Sequence, residues 1–398
     1  MNDKIQLAPP SSCTGCGVCV DACPTKSIDM KIQGLLHFFP LINYDTCILC
    51  GKCQKMCPIL TPLVQKESSE NYYAAWSADS LERKEGTSGG LGSAFARFAI
   101  DRGWVVVGAA FDDNWQLNLR LATTKDEIQK FKGSKYLHSR SDKIFKKVYC
   151  CISNGQKVLF IGTPCQIEAI KKFIPISKQY MLITCGIICH GVNSPVVWKD
   201  YVRYLEKTSK SKLVLYNFRS KVKGWGQDKR GNIRLYVSYL FSNGKNINEP
   251  AWKNLFHHWF GMHLIMRECC FHCPFRKEHR NSDLTIGDFW GVQRILSELP
   301  NMSDGVSVVV TSTEKGEKFI SECVNIEKIK VNSELTKKEL KGYLDLRSEK
   351  KKNYEIFRMK KFSSEYENLG FGEMKNKYPA PTSIERIIKS IKFHLGIK

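Results

Sequence analysis

Two stretches of twelve residues, CTGCGVCVDACP at 13–24 and CILCGKCQKMCP at 47–58, decide the fold of the first part of the chain. Both space their cysteines as C-x2-C-x2-C-x3-C, and a proline follows the last one. Three thiolates in one short loop can reach three corners of a four-iron cubane, while the fourth cysteine, where the chain turns into a helix, reaches the other cluster. The repeat therefore predicts a bacterial-type ferredoxin module with two [4Fe-4S] clusters. The first cluster is assigned to Cys13, Cys16, Cys19 and Cys57, and the second cluster to Cys47, Cys50, Cys53 and Cys23.

A zinc site is the main alternative, because paired C-x2-C units are also typical of zinc ribbons. Zinc ribbons need neither the third cysteine of each loop nor the trailing Cys-Pro, so the spacing favours iron. The chain has 17 cysteines in all. In a cytoplasmic protein the reducing environment opposes disulfides and leaves thiolates available to bind iron.

Length and charge limit the function classes further. The chain has 398 residues, enough for two or three domains, and no stretch approaches the roughly 20 apolar residues of a membrane-spanning helix. Residues 1–12 lack the pattern of a secretory signal, so we expect a cytoplasmic protein. The net charge of +22 would fit nucleic acid, but the basic residues are spread along the chain without a zinc finger, an RNA-recognition signature or an Arg-rich block. We therefore expect no nucleic-acid partner, and a regulatory protein that binds nucleic acid is disfavoured.

Beyond the cysteine-rich segment, helical patterns alternate with short apolar strands, which predicts an α/β region. Asn243-Gly244 predicts a hairpin turn. The last part of the chain is rich in lysine and is predicted to be helical. Helices are predicted at 91–100, 142–152 and about 166–173, and strands at 104–107, 157–161, 180–188, 214–218, 234–241, 284–286 and 306–311.

Four further cysteines, Cys165, Cys189, Cys270 and Cys273, stand at strand ends or in turns. A C-x2-C unit and two isolated turn cysteines would suffice for another cluster. A lone cysteine is also commonly a small buried hydrophobe, so the spacing alone leaves a third cluster open.

Five short motifs accompany these cysteines: TSGG at 87–90, GSKY at 133–136, GTPCQ at 162–166, CHGVNSP at 189–195, and CFHCPF at 270–275 followed by DLTIGDFWG at 283–291. Together they make the chain, from about residue 72 to 301, resemble the beta subunits of coenzyme F420 hydrogenases and dehydrogenases. That family also includes 7-hydroxymethyl chlorophyll a reductase. Its members bind FAD and a [4Fe-4S] cluster, so the resemblance implies a third cluster on Cys165, Cys189, Cys270 and Cys273.

Other positions follow from the same resemblance. Cys269 adjoins the last motif and could replace one of the four ligands. Asn193 and His138 stand where relatives often have proline and glutamine, and we expect these departures to affect substrate fit more than fold. The cysteines that match no motif, Cys150, Cys151, Cys185 and Cys323, are expected to be buried thiols.

The flavin contacts are expected in two of the motifs. Backbone N–H groups around Ser88, Gly89 and Gly90, at the start of a helix, suit a pyrophosphate, and Ser134, Lys135 and Tyr136 would adjoin it, with Lys135 as a cation. A helix cap and an ordinary loop are the alternatives for these motifs. His190 is predicted as a proton donor near the isoalloxazine, because its pKa lies near neutrality, or as a structural histidine.

The sequence thus predicts an α+β / α/β protein in four parts. Residues 1–62 form the two-cluster ferredoxin domain, 70–155 and 156–325 the two parts of a mixed α/β flavin domain with the third cluster, and 326–398 a helical, basic extension. Ser383 to Lys398 form an amphipathic helix that docks on the protein or lies on a membrane surface.

The predicted function is that of an iron-sulfur and FAD-dependent oxidoreductase. Ferredoxin clusters would relay single electrons to FAD, which reduces or oxidises a small molecule or a deazaflavin coenzyme. The alternative is a non-catalytic electron-transfer subunit that feeds a partner enzyme. The substrate and the direction of electron flow do not follow from the sequence.

Overall fold

The computed structural model describes residues 4–34, 36–64, 69–226, 235–299, 301–341, 347–383 and 385. Within these residues the helices are α1 (Val18–Ala22), α2 (Lys52–Met56), α3 (Ser80–Glu85), α4 (Leu91–Asp101), α5 (Lys125–Gln129), α6 (Ile144–Ser153), α7 (Pro164–Phe173), α8 (Pro195–Ser209), α9 (Leu255–Gly261), α10 (Glu314–Glu322), α11 (Ser333–Leu340) and α12 (Glu349–Lys377). The strands are β1 (Ile28–Gln33), β2 (His37–Ile42), β3 (Asn71–Ser77), β4 (Val105–Phe111), β5 (Leu117–Ala122), β6 (Val158–Gly162), β7 (Leu182–Ile187), β8 (Leu213–Ser220), β9 (Tyr236–Phe241), β10 (Asn246–Pro250), β11 (Leu284–Asp288), β12 (Ser307–Thr311) and β13 (Ile326–Lys330).

The main sheet has eight strands in the order β13-β3-β12-β11-β7-β6-β4-β5. Strands β4, β6, β7 and β11 run parallel, and the flanking strands pair antiparallel. Both faces of β4 are buried, because Val106 packs in a cluster with α4 while Val105 and Val107 pack with α6 and α7. This explains the continuous apolar runs in the sequence. The carboxyl ends of β6, β7 and β11 therefore meet at one edge, which is where α/β sheets bind ligands.

A second, antiparallel sheet joins β8, β9 and β10. The predicted turn at Asn243-Gly244 connects β9 to β10, and Gly244 has a φ of +83° there. Aromatic side chains from α8, α9 and α12 pack behind this sheet, with the rings of Trp259 and Phe362 5.1 Å apart. The C-terminal helix α12 is thus part of the hydrophobic core.

The prediction of a wholly helical segment from residue 326 is wrong at its start. Ile326–Lys330 forms β13, which pairs antiparallel with β3 at the margin of the main sheet. Only Ile326 of this strand is buried, because the strand lies at the edge of the sheet. Exposed edge strands commonly carry lysines, so the sequence lacks the apolar content from which a strand is usually predicted. The predicted amphipathic helix from Ser383 to Lys398 lies, apart from its residues 383 and 385, outside the described residues.

Other element predictions differ from the structure mainly at their ends. The predicted helix at 142–152 begins at Ile144, and the strand predicted over 180–188 begins at Leu182. Ile176–Met181 forms a 3-10 helix instead, in which Ile176 and Tyr180 are exposed. Residue 234 of the strand predicted at 234–241 lies outside the described residues.

The ferredoxin module packs tightly against the α/β domain. The Asp21 carboxylate accepts hydrogen bonds from the backbone N–H groups of Lys143 (2.9 Å), Phe145 (2.8 Å) and Lys146 (3.2 Å), and so caps α6. A Cβ atom on Gly15 would lie 2.7 Å from Cε1 of His138, and Gly15 has a φ of +69°. Only glycine allows this approach, which brings the first cysteine loop against the domain.

Candidate functional site

The structure brings together the eight cysteines of the ferredoxin repeat in the two predicted sets. Cys23 ends α1 and Cys57 ends α2, both in extended conformation, so each leaves its own loop. Burial raises the pKa of Cys16 to about 12, and the nearby thiols of Cys13 and Cys57 add to the shift. In the other set, Cys23 lines one cavity with Cys47, Cys50 and Cys53. The fourth cysteine of each repeat thus lies with the first three of the other.

The four cysteines of the predicted third cluster line a single cavity. Cys165 lies in the first turn of α7 after β6, Cys189 follows β7, and Cys270 and Cys273 come from the loop before β11. Burial raises the pKa of Cys189 to about 12, to which Cys270 and Cys273 contribute. Because cluster ligands bind as thiolates, metal binding must release these protons. Cys269 lines the same cavity. This position is compatible with the predicted role as a substitute ligand, which stays a prediction.

The donor chemistry of all three sites fits iron-sulfur clusters, since each presents four thiols around one cavity or loop. Zinc would instead need its ligands close together around one ion. Among the described residues, no three Cys, His, Asp or Glu side chains come close enough to hold a single metal ion.

The first and third cysteine sets adjoin each other. Cys16 lines the cavity that holds Cys165, and its charge affects the pKa of Cys165. The Oγ of Ser141 donates to the carbonyl of Cys16 at 2.7 Å, and Nε2 of His138 lies 3.2 Å from the carbonyl of Gly15. These contacts fix the first loop beside the carboxyl ends of β6 and β7.

Three arginines surround the junction of these two sets. Arg267 is fully buried, and its Nε donates to the carbonyl of Cys13 at 2.8 Å. Arg276 donates to the carbonyls of His190 and Cys270. Burial lowers the pKa of Arg280, and the neighbouring Cys189 and Cys273 oppose that shift. Cations in such positions offset the negative charge of clusters bound to thiolates.

A polar group lies on the same edge of the sheet, at the end of β11. Asp288 accepts two hydrogen bonds from Arg219, at 2.9 and 3.1 Å, and one from Nε1 of Trp225 at 2.8 Å. Although burial opposes it, Arg219 holds the pKa of Asp288 below its ordinary value. Arg219 also donates to the hydroxyl of Tyr136 at 3.1 Å, and the rings of Trp225 and Trp290 stack at 4.5 Å.

The motifs predicted to bind flavin meet at this edge. Ser134 donates its backbone N–H to Oγ1 of Thr87 at 2.8 Å, which joins the two motifs directly. The Oγ of Ser88 donates to the carbonyl of Val306, just before β12. The edge of the sheet that carries the cysteines predicted to bind the third cluster therefore also carries Ser88, Ser134 and Tyr136.

Some of the predicted contacts are used within the protein. The N–H of Gly89 donates to Oγ of Ser307 at 2.9 Å, and the N–H of Gly90 donates to the carbonyl of Thr87. A Cβ on Gly89 would lie 2.5 Å from the carbonyl oxygen of Ala75, which accounts for this glycine by packing. These two N–H groups do not fit the predicted role as pyrophosphate donors, and the helix-cap alternative describes them better.

The contacts of Lys135 also differ from its predicted role as a cation for the flavin pyrophosphate. Its Nζ donates to the carbonyls of Phe131 (3.1 Å), Lys132 (2.9 Å) and Gly133 (3.2 Å), so it stabilises the loop that follows α5. Burial lowers the pKa of Lys135 to about 7. The structure therefore does not present this lysine as a cation for a phosphate.

His190 follows Cys189 and is exposed. Its Nε2 lies 2.9 Å from Nε2 of His263, and Nδ1 of His263 lies 3.3 Å from a carboxylate oxygen of Glu355 on α12. The position of His190 next to the third-cluster cysteines fits the predicted proton donor. Its hydrogen bond to a second histidine fits the structural alternative equally well.

The expectation that the four remaining cysteines are buried is wrong for two of them. Cys150 is exposed and Cys151 half-buried, because both lie on the outer side of α6, whereas Cys185 and Cys323 are buried as expected. His138 and Asn193 support the fold, since His138 packs on the ferredoxin loop and Nδ2 of Asn193 donates to the carbonyl of Tyr136 at 2.7 Å.

The sequence motifs missed the arginines. Arg267, Arg276 and Arg280 all lie within a few residues of Cys269, Cys270 or Cys273, and this proximity is the signal that could have identified them. Arg219 lies on β8, outside every motif, and only the folded structure places it beside Asp288.

Within the described part of the chain, every helix is too short or too polar to span a bilayer.

Comparison with known protein families finds three matching family models. Residues 72–146 match the N-terminal model, and residues 155–337 the C-terminal model, of the coenzyme F420 hydrogenase/dehydrogenase beta subunit, and residues 12–60 match a 4Fe-4S dicluster domain. A subunit of the F(420)H(2) dehydrogenase of Methanosarcina mazei is 23% identical over 56% of this chain and 65% of its own length. The coenzyme F420-dependent sulfite reductase of Methanocaldococcus jannaschii is 24% identical over 86% of this chain and 52% of its own length.

The chain thus spans between about half and two thirds of the length of these relatives. A chain of the F420-reducing [NiFe] hydrogenase complex from Methanosarcina barkeri is 18% identical, with a TM-score of 0.41 over 77% of this chain and 95% of that one. The two beta-subunit models together cover most of the chain that follows the ferredoxin segment. The chain belongs to the family of iron-sulfur oxidoreductase proteins typified by the beta subunits of coenzyme F420 hydrogenases and dehydrogenases, and it carries a 4Fe-4S dicluster domain.

Proposed function

We propose that this chain is an iron-sulfur flavoprotein oxidoreductase whose ferredoxin module passes electrons to or from a flavin at the carboxyl edge of the main sheet. The observation that carries the proposal is the cavity shared by Cys16 of the first set and Cys165 of the third. When bound, the three clusters supply single-electron transfer and FAD supplies exchange of two-electron equivalents.

The roles of the protein's own residues follow from their positions. Four cysteines hold each cluster. The negative charge of the first and third clusters is balanced by three arginines, Arg267, Arg276 and Arg280. Ser88, Ser134 and Tyr136 remain the proposed flavin contacts, because their contacts place them toward the same edge of the main sheet as the third set. His190 is the proposed proton donor, since it is exposed beside Cys189. We also propose a cytoplasmic location, where free thiols persist.

The proposed substrate is the deazaflavin coenzyme F420 or another small hydride acceptor. Two relatives, one from a F(420)H(2) dehydrogenase and one a coenzyme F420-dependent sulfite reductase, support this class. The second candidate is an electron-transfer protein that feeds a partner enzyme. It is favoured by the dehydrogenase relative, which is one component of a larger enzyme.

The test is anaerobic reconstitution followed by metal and flavin analysis. The proposal expects about twelve irons and one FAD per chain, and about eight irons without flavin would refute it. Loaded protein reduced by dithionite is then mixed with F420. Reoxidation of the flavin by F420 supports the enzyme, whereas reoxidation only by a partner protein supports the electron-transfer role.

A further inference from the structure

The Cys47–Cys50 loop of the second cysteine set lies at the surface of the ferredoxin module, in contrast to the Cys13–Cys19 loop of the first set. Cys50 is exposed and Cys47 half-buried, whereas Cys13, Cys16 and Cys19 are buried. The first set faces the α/β domain, as its contacts with His138 and Ser141 show. The second set is therefore more accessible to another protein than the first set.

Large apolar side chains surround this point. Ile48 and Leu49 stand between Cys47 and Cys50, with 63% and 41% of their surface exposed. Tyr44 is 44% exposed, and its hydroxyl donates to the carbonyl of Ile5 at 2.9 Å. Ile5 lines the second-set cavity together with Ile48, so Ile5 lies between Tyr44 and that cavity, and Leu49 directly follows Ile48 in the loop. Clustered exposed apolar residues of this kind mark interaction sites, whereas single ones do not.

Lysines border the apolar area. Nζ of Lys4 lies 5.1 Å from the ring centre of Tyr44. Lys26 and Lys52 are exposed and directly follow Thr25 and Gly51, both of which line the second-set cavity. Asp45 is an exposed acidic residue in the same segment, so the border carries a net positive charge. An apolar centre with a basic border complements a partner with an acidic border.

We propose that Tyr44, Ile48, Leu49, Lys26 and Lys52, here named the second-cluster surface, dock a small acidic iron-sulfur electron carrier. The proposal rests on the proposed function, because such a carrier is required only if the clusters transfer electrons. The area is small, as is typical of weak redox encounters that must dissociate after each transfer. Lysines at its border would speed the approach of an acidic carrier and make binding depend on salt.

The test measures binding of the fully loaded protein to an acidic bacterial two-cluster ferredoxin by biolayer interferometry, at low and at high salt. The surface variant is Ile48→Ser/Leu49→Ser/Lys52→Glu. A matched control, Val214→Ser/Leu215→Ser/Lys207→Glu, makes the same changes on β8 and α8, where Val214 and Leu215 are 53% and 56% exposed. We expect the surface variant to weaken the Kd by roughly tenfold or more and the control to leave it unchanged.

Because Ile48 and Leu49 lie between ligands, iron content is measured for every variant. The charge variant Lys26→Glu/Lys52→Glu, which leaves the loop apolar residues in place, is expected to weaken binding at low salt and to match the wild type at high salt. Equal binding by wild type and both surface variants would overturn the proposal. So would equal weakening by the control, absence of ferredoxin binding by the wild type, or dimerisation of this chain through the same residues in sedimentation.

The two proposals fail separately. Dithionite reduces clusters without docking, so loaded protein that dithionite reduces but ferredoxin does not bind would refute only the docking surface. A deficit in iron or flavin would refute the proposed function itself.

Discussion

Replacing Arg267 with methionine should lower the reduction potentials of the proposed first and third clusters and change that of the second by much less. The guanidinium is fully buried, and its Nη1 donates to the carbonyl of Phe38 at 2.9 Å while Nε donates to Cys13. The backbone N–H of Cys270 donates to the carbonyl of Arg267 at 3.0 Å. One fixed positive charge therefore lies beside ligands of both clusters.

The size of the effect follows from electrostatics. Reduction adds one negative charge to a cluster, and a nearby cation stabilises the reduced form. At a separation of about 8 Å and an effective dielectric constant of about 20, the interaction is worth about 2 kcal/mol, or roughly 90 mV for one electron. The second cysteine set includes the exposed Cys50, where solvent screens the charge, so the potential of its cluster should change by much less.

The measurement is a redox titration of the reconstituted protein, followed by EPR. Arg267→Lys keeps the charge and should retain most of the potential, although the ring contact with Phe39 at 4.1 Å is weakened. Arg203→Met, on the exposed face of α8, is the control. An equal fall of all three potentials, or unchanged potentials in Arg267→Met with full iron content, would show that the buried charge does not act on these two clusters.

Three further outcomes test other parts of the structure. Cys165→Ser should reduce the iron content from about twelve to about eight per chain, while Cys185→Ser, in the core of the main sheet, should retain it. Asp21→Ala should lower the free energy of unfolding in urea by about 3 kcal/mol, because three backbone N–H groups lose their acceptor, and the exposed Asp29→Ala should change it little. Burial lowers the pKa of His257 to about 4, so the unfolded state binds more protons below pH 6.5 and stability falls as pH falls. Between pH 7.5 and 5.5 the wild type should therefore lose about 1.3 kcal/mol more than His257→Gln, and equal losses would contradict this assignment.

The sequence predicted the features that depend on short-range spacing. The ferredoxin repeat specifies which cysteines approach each other, because three ligands share one loop and the fourth follows a short helix. The parallel strands were predictable because strands buried on both faces require continuous apolar runs such as Val158–Gly162. The strand Ile326–Lys330 was not predicted, because only its first residue is buried. Its lysine-rich sequence is similar to that of an exposed helix.

The site could be predicted only in part, because sequence motifs do not record which polar groups pair within the fold. The glycines of 87–90 look like phosphate ligands until Gly89 is seen against the carbonyl of Ala75 and its N–H against Ser307. Lys135 looks like a free cation until its ammonium is found on three carbonyls of its own loop. Conversely, Arg219 becomes relevant only through its contact with Asp288, which lies 69 residues further along the chain.

Contacts across the domain boundary fix the ferredoxin module against the α/β domain. Asp21 caps a helix of the α/β domain, and Gly15 leaves no room for a side chain against His138. These contacts orient the module so that its buried cysteine set faces Cys165 and its exposed set faces outward. A freely tethered ferredoxin would meet the third set only by diffusion, and either of its clusters could arrive first. The docked arrangement instead gives the two cysteine sets different surroundings, since Cys16 of the first set adjoins the third set and Cys50 of the second set is exposed.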